Sequence, residues 1–414
     1  MTKKPSSALV IGGGIVGLSA AIAIRRRGIP TTLVSDTGMR GTPSWGNAGH
    51  IAIEQVEPLA SMATVRSMPR RLFPRGALSL PLSALGDWLP FSLRLLLAAR
   101  PANFDRGKAA LESVLAQAMP AWRRLLDQAG APELLIENGH FIVWESAESA
   151  RRGRAHWAGA DTGITRWRDA SASEIAAIQA LLAVPVAGAI RFDGSGQIAD
   201  PSALADSLEA AALALGITRR DARVDSLRLD ADGMVAAVLA DGETIGADAL
   251  IVAAGVASGA LMRPLGHRVP IIAERGYHIQ SSGIGWPTDL PPVVFEDRSM
   301  IVTRFTGGLR AASFVEFAAA GTPPDPRKWR RLREHVAALG VPFDTASEWI
   351  GARPTLPDYL PAIGRSGVAR NLFYAFGHQH LGLTLGPLTG EAIAALVAGD
   401  APAIDLAPFD LARF

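Results

Sequence analysis

The sequence predicts an α/β protein: a nucleotide-binding unit built on a parallel sheet, with an inserted α+β domain whose sheet is largely antiparallel. Three observations predict it. Residues 8–11 are a short apolar run that leads through a glycine turn and an Ala/Ile-rich stretch into a second β-branched run at 31–34, one βαβ opening. Further α/β stretches recur at 201–255 and at 372–398, so the unit is assembled from separated segments. Between them lie helix-patterned residues 78–130 and a series of short strand-like runs.

The length of 414 residues suits two domains, and 49% hydrophobic with 19% charged residues excludes a disordered chain. Lys+Arg 41 against Asp+Glu 39 leaves no electrostatic pull on nucleic acid. Zero cysteines exclude disulfides, thiolate catalysis, Cys-ligated metals and a sulfur tether to a cofactor. The longest clean apolar run, residues 249–262, is too short to span a membrane. The expected location is cytoplasmic, with peripheral contact on the inner face of the membrane as a further reading.

Each element has its own justification. Residues 15–27 read as a helix ended by Gly28, because glycine takes the left-handed conformation at little cost. Residues 40–75, rich in Gly, Pro, Ser and Asn, read as loop. In 78–130, Trp88, Leu89, Phe91, Leu93 and Leu95–Leu97 form an apolar patch broken by Arg94. The favoured reading of that patch is the core of the substrate domain; the other is a membrane or quinone contact. A strand is expected at 140–144 and helices at 173–182 and 201–215. Hairpin strands are expected around Asp232-Gly233, and a buried strand at 249–253. Strands return at 271–279, 292–295, 300–305 and 309–317, followed by a helix at 329–339. A Pro-rich loop (353–361), a strand (372–375), a Gly/His loop (377–386) and a helix (387–398) close the chain. The expected division is 1–77, 190–267 and 350–414 for the nucleotide domain, and 78–189 and 268–349 for the substrate domain.

Gly12-Gly13-Gly14-Ile15-Val16-Gly17 places GxGxxG directly after a strand and before a helix. Gly12 makes the turn, Gly14 lets backbone approach a pyrophosphate, and Gly17 lets helix and sheet pack closely. The helix N-terminus, at Ile15 and Val16, then offers N–H groups to phosphate. This is a Rossmann-like dinucleotide site. The ribose acid is expected at the end of the second strand, but Ser35 stands there and Asp36 follows, so either residue holds the ribose. Glycine spacing alone does not separate FAD from NAD.

Four further segments carry a resemblance. Gly41-Thr42-Pro43-Ser44-Trp45-Gly46-Asn47-Ala48-Gly49-His50 resembles the Ser-x-x-Asn-Ala-Gly loop of FAD-dependent D-amino acid dehydrogenases, in the D-amino acid oxidase/glycine oxidase superfamily. Residues 248–255, ending Ala254-Gly255, look like the second FAD motif of that family. Residues 351–364 look like its Gly-x-Arg-Pro loop, and Gly377-His378-Gln379-His380-Leu381-Gly382-Leu383-Thr384 like its C-terminal flavin loop. Glu274-Arg275-Gly276-Tyr277-His278 and the Gly-His-Gln-His loop look most like the branch with D-hydroxyproline dehydrogenases.

The resemblance implies FAD held by Gly12, Gly14, Ile15, Val16, Gly17, Ser35, Asp36, Ser44, Asn47, Ala48, Gly49, Val224, Ala254, Gly255, Gly382, Leu383 and Thr384. It implies oxidation of a D-amino or cyclic imino acid by hydride transfer to flavin N5, with electrons passed to a quinone or other acceptor. Arg353 would bind the substrate carboxylate, since a guanidinium fork matches it bidentately, and Tyr277 would add a hydroxyl. His50 and His380 are the candidate proton acceptors and substrate contacts; His378 reads as structural, and His278, alternating with Tyr277, is left out of the chemistry. No metal-ligand spacing such as HExxH is present. The alternatives are an oxygen-using glycine/sarcosine-type oxidase, a flavin-binding subunit of a heteromeric complex, and an NAD-binding module.

Overall fold

The computed structural model describes residues 4–36, 42–282, 285–343 and 345–414; Gly41, the first residue of the loop motif above, lies outside them. Five parallel strands form the nucleotide sheet in the order Thr218–Asp221, Thr31–Ser35, Ala8–Ile11, Ala249–Val252 and Leu372–Phe376, and Ala362–Arg365 closes it antiparallel. The two central strands, Ala8–Ile11 and Ala249–Val252, are buried throughout, as a parallel sheet covered on both faces requires. Helix Ile15–Arg26 lies against the last helix, Gly382–Ala398. Gly386 and Gly390 make that close crossing feasible: a Cβ on Gly390 would sit 2.6 Å from the backbone of Ser19.

The inserted sheet runs Ser347–Thr355, Ile272–Ser281, Gly308–Ala318, Met300–Phe305, Val293–Phe295, His140–Trp144, Gly188–Asp193 and Arg166–Asp169. It is antiparallel except where Val293–Phe295 meets His140–Trp144, and where the short strand Leu78–Ser79 joins Gly308–Ala318. The expected domain cuts at 190 and 350 fall inside its strands Gly188–Asp193 and Ser347–Thr355. Helices Pro101–Leu115 and Ala118–Ala129 pack with the nucleotide sheet, through Leu111, Leu115, Trp122 and Leu126.

Four local readings are corrected. The expected loop 40–75 contains helix Met62–Arg71, started by the Ser61 hydroxyl accepting from the Thr64 N–H. The expected Pro-rich loop begins as strand, because Ser347–Thr355 is a sheet edge and Pro354 needs no outward ladder bond there. The last helix starts at Gly382, ahead of Pro387. Proline supplies no N–H for the Leu383 carbonyl four residues back, and the buried Trp122 Nε1 donates to that carbonyl at 3.1 Å instead. The apolar patch divides: Phe91 and Leu95 of helix Leu85–Ala98 pack on Ile272, Phe317 and Tyr359, while Leu85, Leu89, Leu93, Leu96 and Leu97 form an exposed stripe.

Candidate active site

The glycine turn has the geometry a dinucleotide needs. Gly12 has φ +121°, and a Cβ there would lie 2.3 Å from the Ala253 carbonyl; one on Gly17 would lie 2.0 Å from the Gly12 carbonyl. The helix begins at Ile15 with no side-chain cap and no acid in its first turn, so its positive end is left for an anion. Ser44 Oγ accepts the Ile15 N–H at 2.9 Å, which ties the second motif to the first. Ala254 and Gly255 follow the neighbouring strand, with the Ala254 Cα close to Gly12. Ser35 ends its strand half-buried, Asp36 beside it is exposed, and Val224 opens the adjoining hairpin, also half-buried.

Asn47 braces its own loop. Its side chain donates to the Ser44 carbonyl and accepts the Gly49 N–H at 2.7 Å. Arg310, pushed down to about 10 by burial, donates to the carbonyls of Trp45 and Asn47 from the inserted sheet. Ala48 is half-buried beside them. Gly49 (φ +69°) leaves no room for a Cβ, which would sit 2.4 Å from the Phe305 ring. Gly382, Leu383 and Thr384 form the first turn of the last helix, which carries no side-chain cap. Thr384 Oγ1 accepts the Ala52 N–H at 3.0 Å, joining this turn to the loop after His50.

Arg353 lies on the inserted sheet opposite Glu274. Its Nη1 donates to Glu274 Oε1 at 3.1 Å and to the Phe314 carbonyl at 3.2 Å; no other hydrogen bond from the guanidinium to a described residue is formed. Glycine at 276 makes room for the group, since a Cβ there would sit 2.4 Å from Nη2. Thr355 Oγ1 and Tyr359 OH donate to the other Glu274 oxygen, each at 3.1 Å. Burial and the Glu274 charge raise the Tyr359 phenol well above its usual range, so it stays a donor. Gln379 bonds the Tyr359 carbonyl at 2.8 Å and the His380 N–H at 2.9 Å. Of the four described non-glycine residues with positive φ, three are Phe314, Tyr359 and Gln379. Left-handed backbone is costly for such residues, and here it converges on one guanidinium and one imidazole.

His380 has no hydrogen bond from its ring to a described residue. Burial holds it down at about 4, with Glu274, Arg353 and Glu54 all close enough to influence it. Tyr277 is not brought to this group. It points to the opposite face of its strand, where its hydroxyl donates to Glu316 at 2.9 Å beside Arg275 and Lys328, and burial raises its pKa. The alternation that carries Tyr277 away carries Glu274, Gly276 and His278 to the Arg353 face. His278 stacks on Trp349 and bonds the Gly46 carbonyl, while the buried His378 ring bonds the Thr389 hydroxyl at 2.9 Å.

His50 turns elsewhere. Its Nε2 lies 3.1 Å from Glu54 Oε1, and its ring stands edge-on to His140 at 4.5 Å. Burial opposes ionisation of Glu54, and the His50 and His140 imidazoles together with hydrogen bonds outweigh it, holding the carboxyl down at about 2.

The matrix of glycine turn, second motif, Arg353 loop and terminal helix matches a known family from end to end: the model of the FAD dependent oxidoreductases known as DAO fits residues 7–396. The chain belongs to this family. The oxidoreductase is 32% identical over 417 residues to a D-amino-acid oxidase of Bradyrhizobium diazoefficiens, covering 98% of each chain. It is 30% identical to a D-amino acid dehydrogenase of Paramagnetospirillum magneticum, again over 98% of each. Among solved structures it resembles glycine oxidase from Geobacillus kaustophilus, with TM-score 0.72, 22% identity and full coverage of both chains. It is an FAD-dependent oxidoreductase acting on amino acids.

Sequence reasoning missed Glu274 as the partner of Arg353, Tyr359 as a donor to Glu274, and Glu54 and His140 as the neighbours of His50. Glu274 and Tyr359 lie inside the quoted motifs, and strand alternation was the signal that would have paired Glu274 with Arg353. Nothing local pairs His140 with His50.

Proposed function

We propose that the oxidoreductase dehydrogenates a D-amino or cyclic imino acid, of the hydroxy-D-proline or D-proline type, to its imine. The observation that carries this reading is the pairing of a partly open Arg353 guanidinium with the unbonded, neutral His380 ring. Arg353 takes the substrate carboxylate with the N–H groups that Glu274 leaves free. His380, on the strained Gly-His-Gln-His loop, accepts the proton that leaves the amine. When bound, FAD would supply the hydride-accepting chemistry for oxidation at the α-carbon. Gly12, Gly14, Ile15, Val16 and Gly17 would hold its pyrophosphate, Ser35 or Asp36 its ribose, and Val224 its adenine side. Ser44–Gly49, Ala254, Gly255 and Gly382–Thr384 line the rest. The D-configuration is taken from the names of the relatives.

A quinone is the proposed acceptor. The exposed leucine stripe of helix Leu85–Ala98 borders a cleft lined by Phe91, Leu97, Phe104 and Ile272, with Arg94 and Arg106 at its wall. That surface suits a long apolar molecule and the membrane face that carries it. Oxygen is the second reading, favoured by the relative named an oxidase.

The test is anaerobic bleaching of the purified yellow protein by cis-4-hydroxy-D-proline, D-proline, D-alanine, sarcosine and glycine, with L-forms as controls. Reoxidation by a short-chain quinone and by oxygen is then timed separately. Bleaching by the D-imino acids and faster reoxidation by quinone are expected. Bleaching by sarcosine or glycine alone would overturn the substrate, and faster reoxidation by oxygen the acceptor. Arg353→Met should raise KM by about 100- to 10,000-fold, the loss of two charged hydrogen bonds, while Tyr277→Phe leaves KM unchanged.

A further inference from the structure

The cluster around His50 is unused by the proposed chemistry and is polar out of proportion to its burial. His140 and Glu54 are 2% and 3% exposed, and Gln197 is fully buried. His50 and Gln197 face each other across an antiparallel pair, so their side chains emerge on the same face. Four atoms on these neighbours are buried without a hydrogen-bond partner: His50 Nδ1, Glu54 Oε2, and the Oε1 and Nε2 atoms of Gln197. Leaving such groups bare is costly, and their concentration at one place calls for a common partner.

We propose that His50, Glu54 and His140 bind one divalent transition-metal ion of the zinc class, with the Gln197 amide oxygen as a fourth donor. One ligand atom from each of the three lies within 4.8 Å of the other two. Two ligands each about 2.1 Å from a zinc ion stand about 3.4 Å apart at the tetrahedral angle, so small side-chain rotations close the set. Two imidazoles and a carboxylate suit zinc or iron(II) better than calcium or magnesium. His140 is already oriented: its Nδ1 pairs with the Ser195 hydroxyl at 2.9 Å, which leaves Nε2 for the ion. Phe192 stacks on the same ring at 4.7 Å and fixes its plane.

The experiment uses the FAD-loaded protein, stripped with a chelator and equilibrated with zinc alone, with metal per chain read by elemental analysis. The readout needs no turnover, so it stands or falls apart from the substrate reading. One zinc per chain is expected. Glu54→Gln and His140→Gln should weaken it by about 100-fold or more, and Ser195→Ala, one shell out, by about 10- to 100-fold. Ser195→Ala removes only a hydroxyl and keeps the test decisive where a ligand variant loses its flavin. Zinc well below one equivalent in the unaltered protein, or Glu54→Gln and His140→Gln variants that bind zinc as tightly as the unaltered protein, would overturn the proposal.

Discussion

Trp122→Phe removes the donor that the Leu383 carbonyl receives in place of a helical one. That carbonyl lies four residues before Pro387, which has no N–H, and the Trp122 indole fills the gap at 3.1 Å. Phenylalanine keeps an aromatic ring but leaves the buried carbonyl bare, at about 1–3 kcal/mol. The smaller ring adds about 1 kcal/mol for the void. The sum, about 2–4 kcal/mol, lowers the temperature of flavin release by roughly 5–15 °C in a domain of about 200 residues. Heating with flavin fluorescence as the signal measures it. Pro387→Ala restores the missing N–H, so the same Trp122→Phe change made in the Ala-substituted background should cost only the void. The two changes should therefore couple by about 1–3 kcal/mol. Additive effects, within about 0.5 kcal/mol, would refute the assignment of the indole as the carbonyl's substitute donor.

Acid should loosen the fold before it reaches the usual carboxylate range. Burial holds both His278 and His378 down at about 3. Unfolded, each takes up a proton near pH 6.5, so stability present above that pH is lost as pH falls toward the folded values. At pH 5 the loss is about 2 kcal/mol per imidazole. Thermal midpoints at pH 7.5 and 5.0 should differ accordingly, and His378→Asn should shrink the gap; an unchanged gap would count against burial of a neutral ring. Gly390→Ala presses a methyl 2.6 Å from the Ser19 backbone, where helix Ile15–Arg26 cannot yield without moving its phosphate-facing end. A loss of about 1–3 kcal/mol is expected, together with weaker FAD retention in gel filtration, and normal retention would show that the helix crossing does not set the glycine turn.

The sequence by itself determined the nucleotide half of this oxidoreductase. Gly12, Gly14 and Gly17 sit between a buried strand and a helix, and their requirement is local: a turn only glycine can make, next to a helix end that attracts phosphate. Arg353 and His380 were singled out from short motifs, and the fold sets both beside Glu274. What lies across strands was decided only by the tertiary structure. Tyr277 and Glu274 are three residues apart in one motif, yet pleating sends one to the Glu316 ion cluster and the other to Arg353. Leu383 needed Trp122 from a distant helix because Pro387 could not serve it. His50 meets Gln197 because their short strands pair, and meets His140 by an edge-on ring contact with a strand of the other sheet. A one-residue change of register would reverse such placements, and register is set by long-range pairing that no short window of sequence contains.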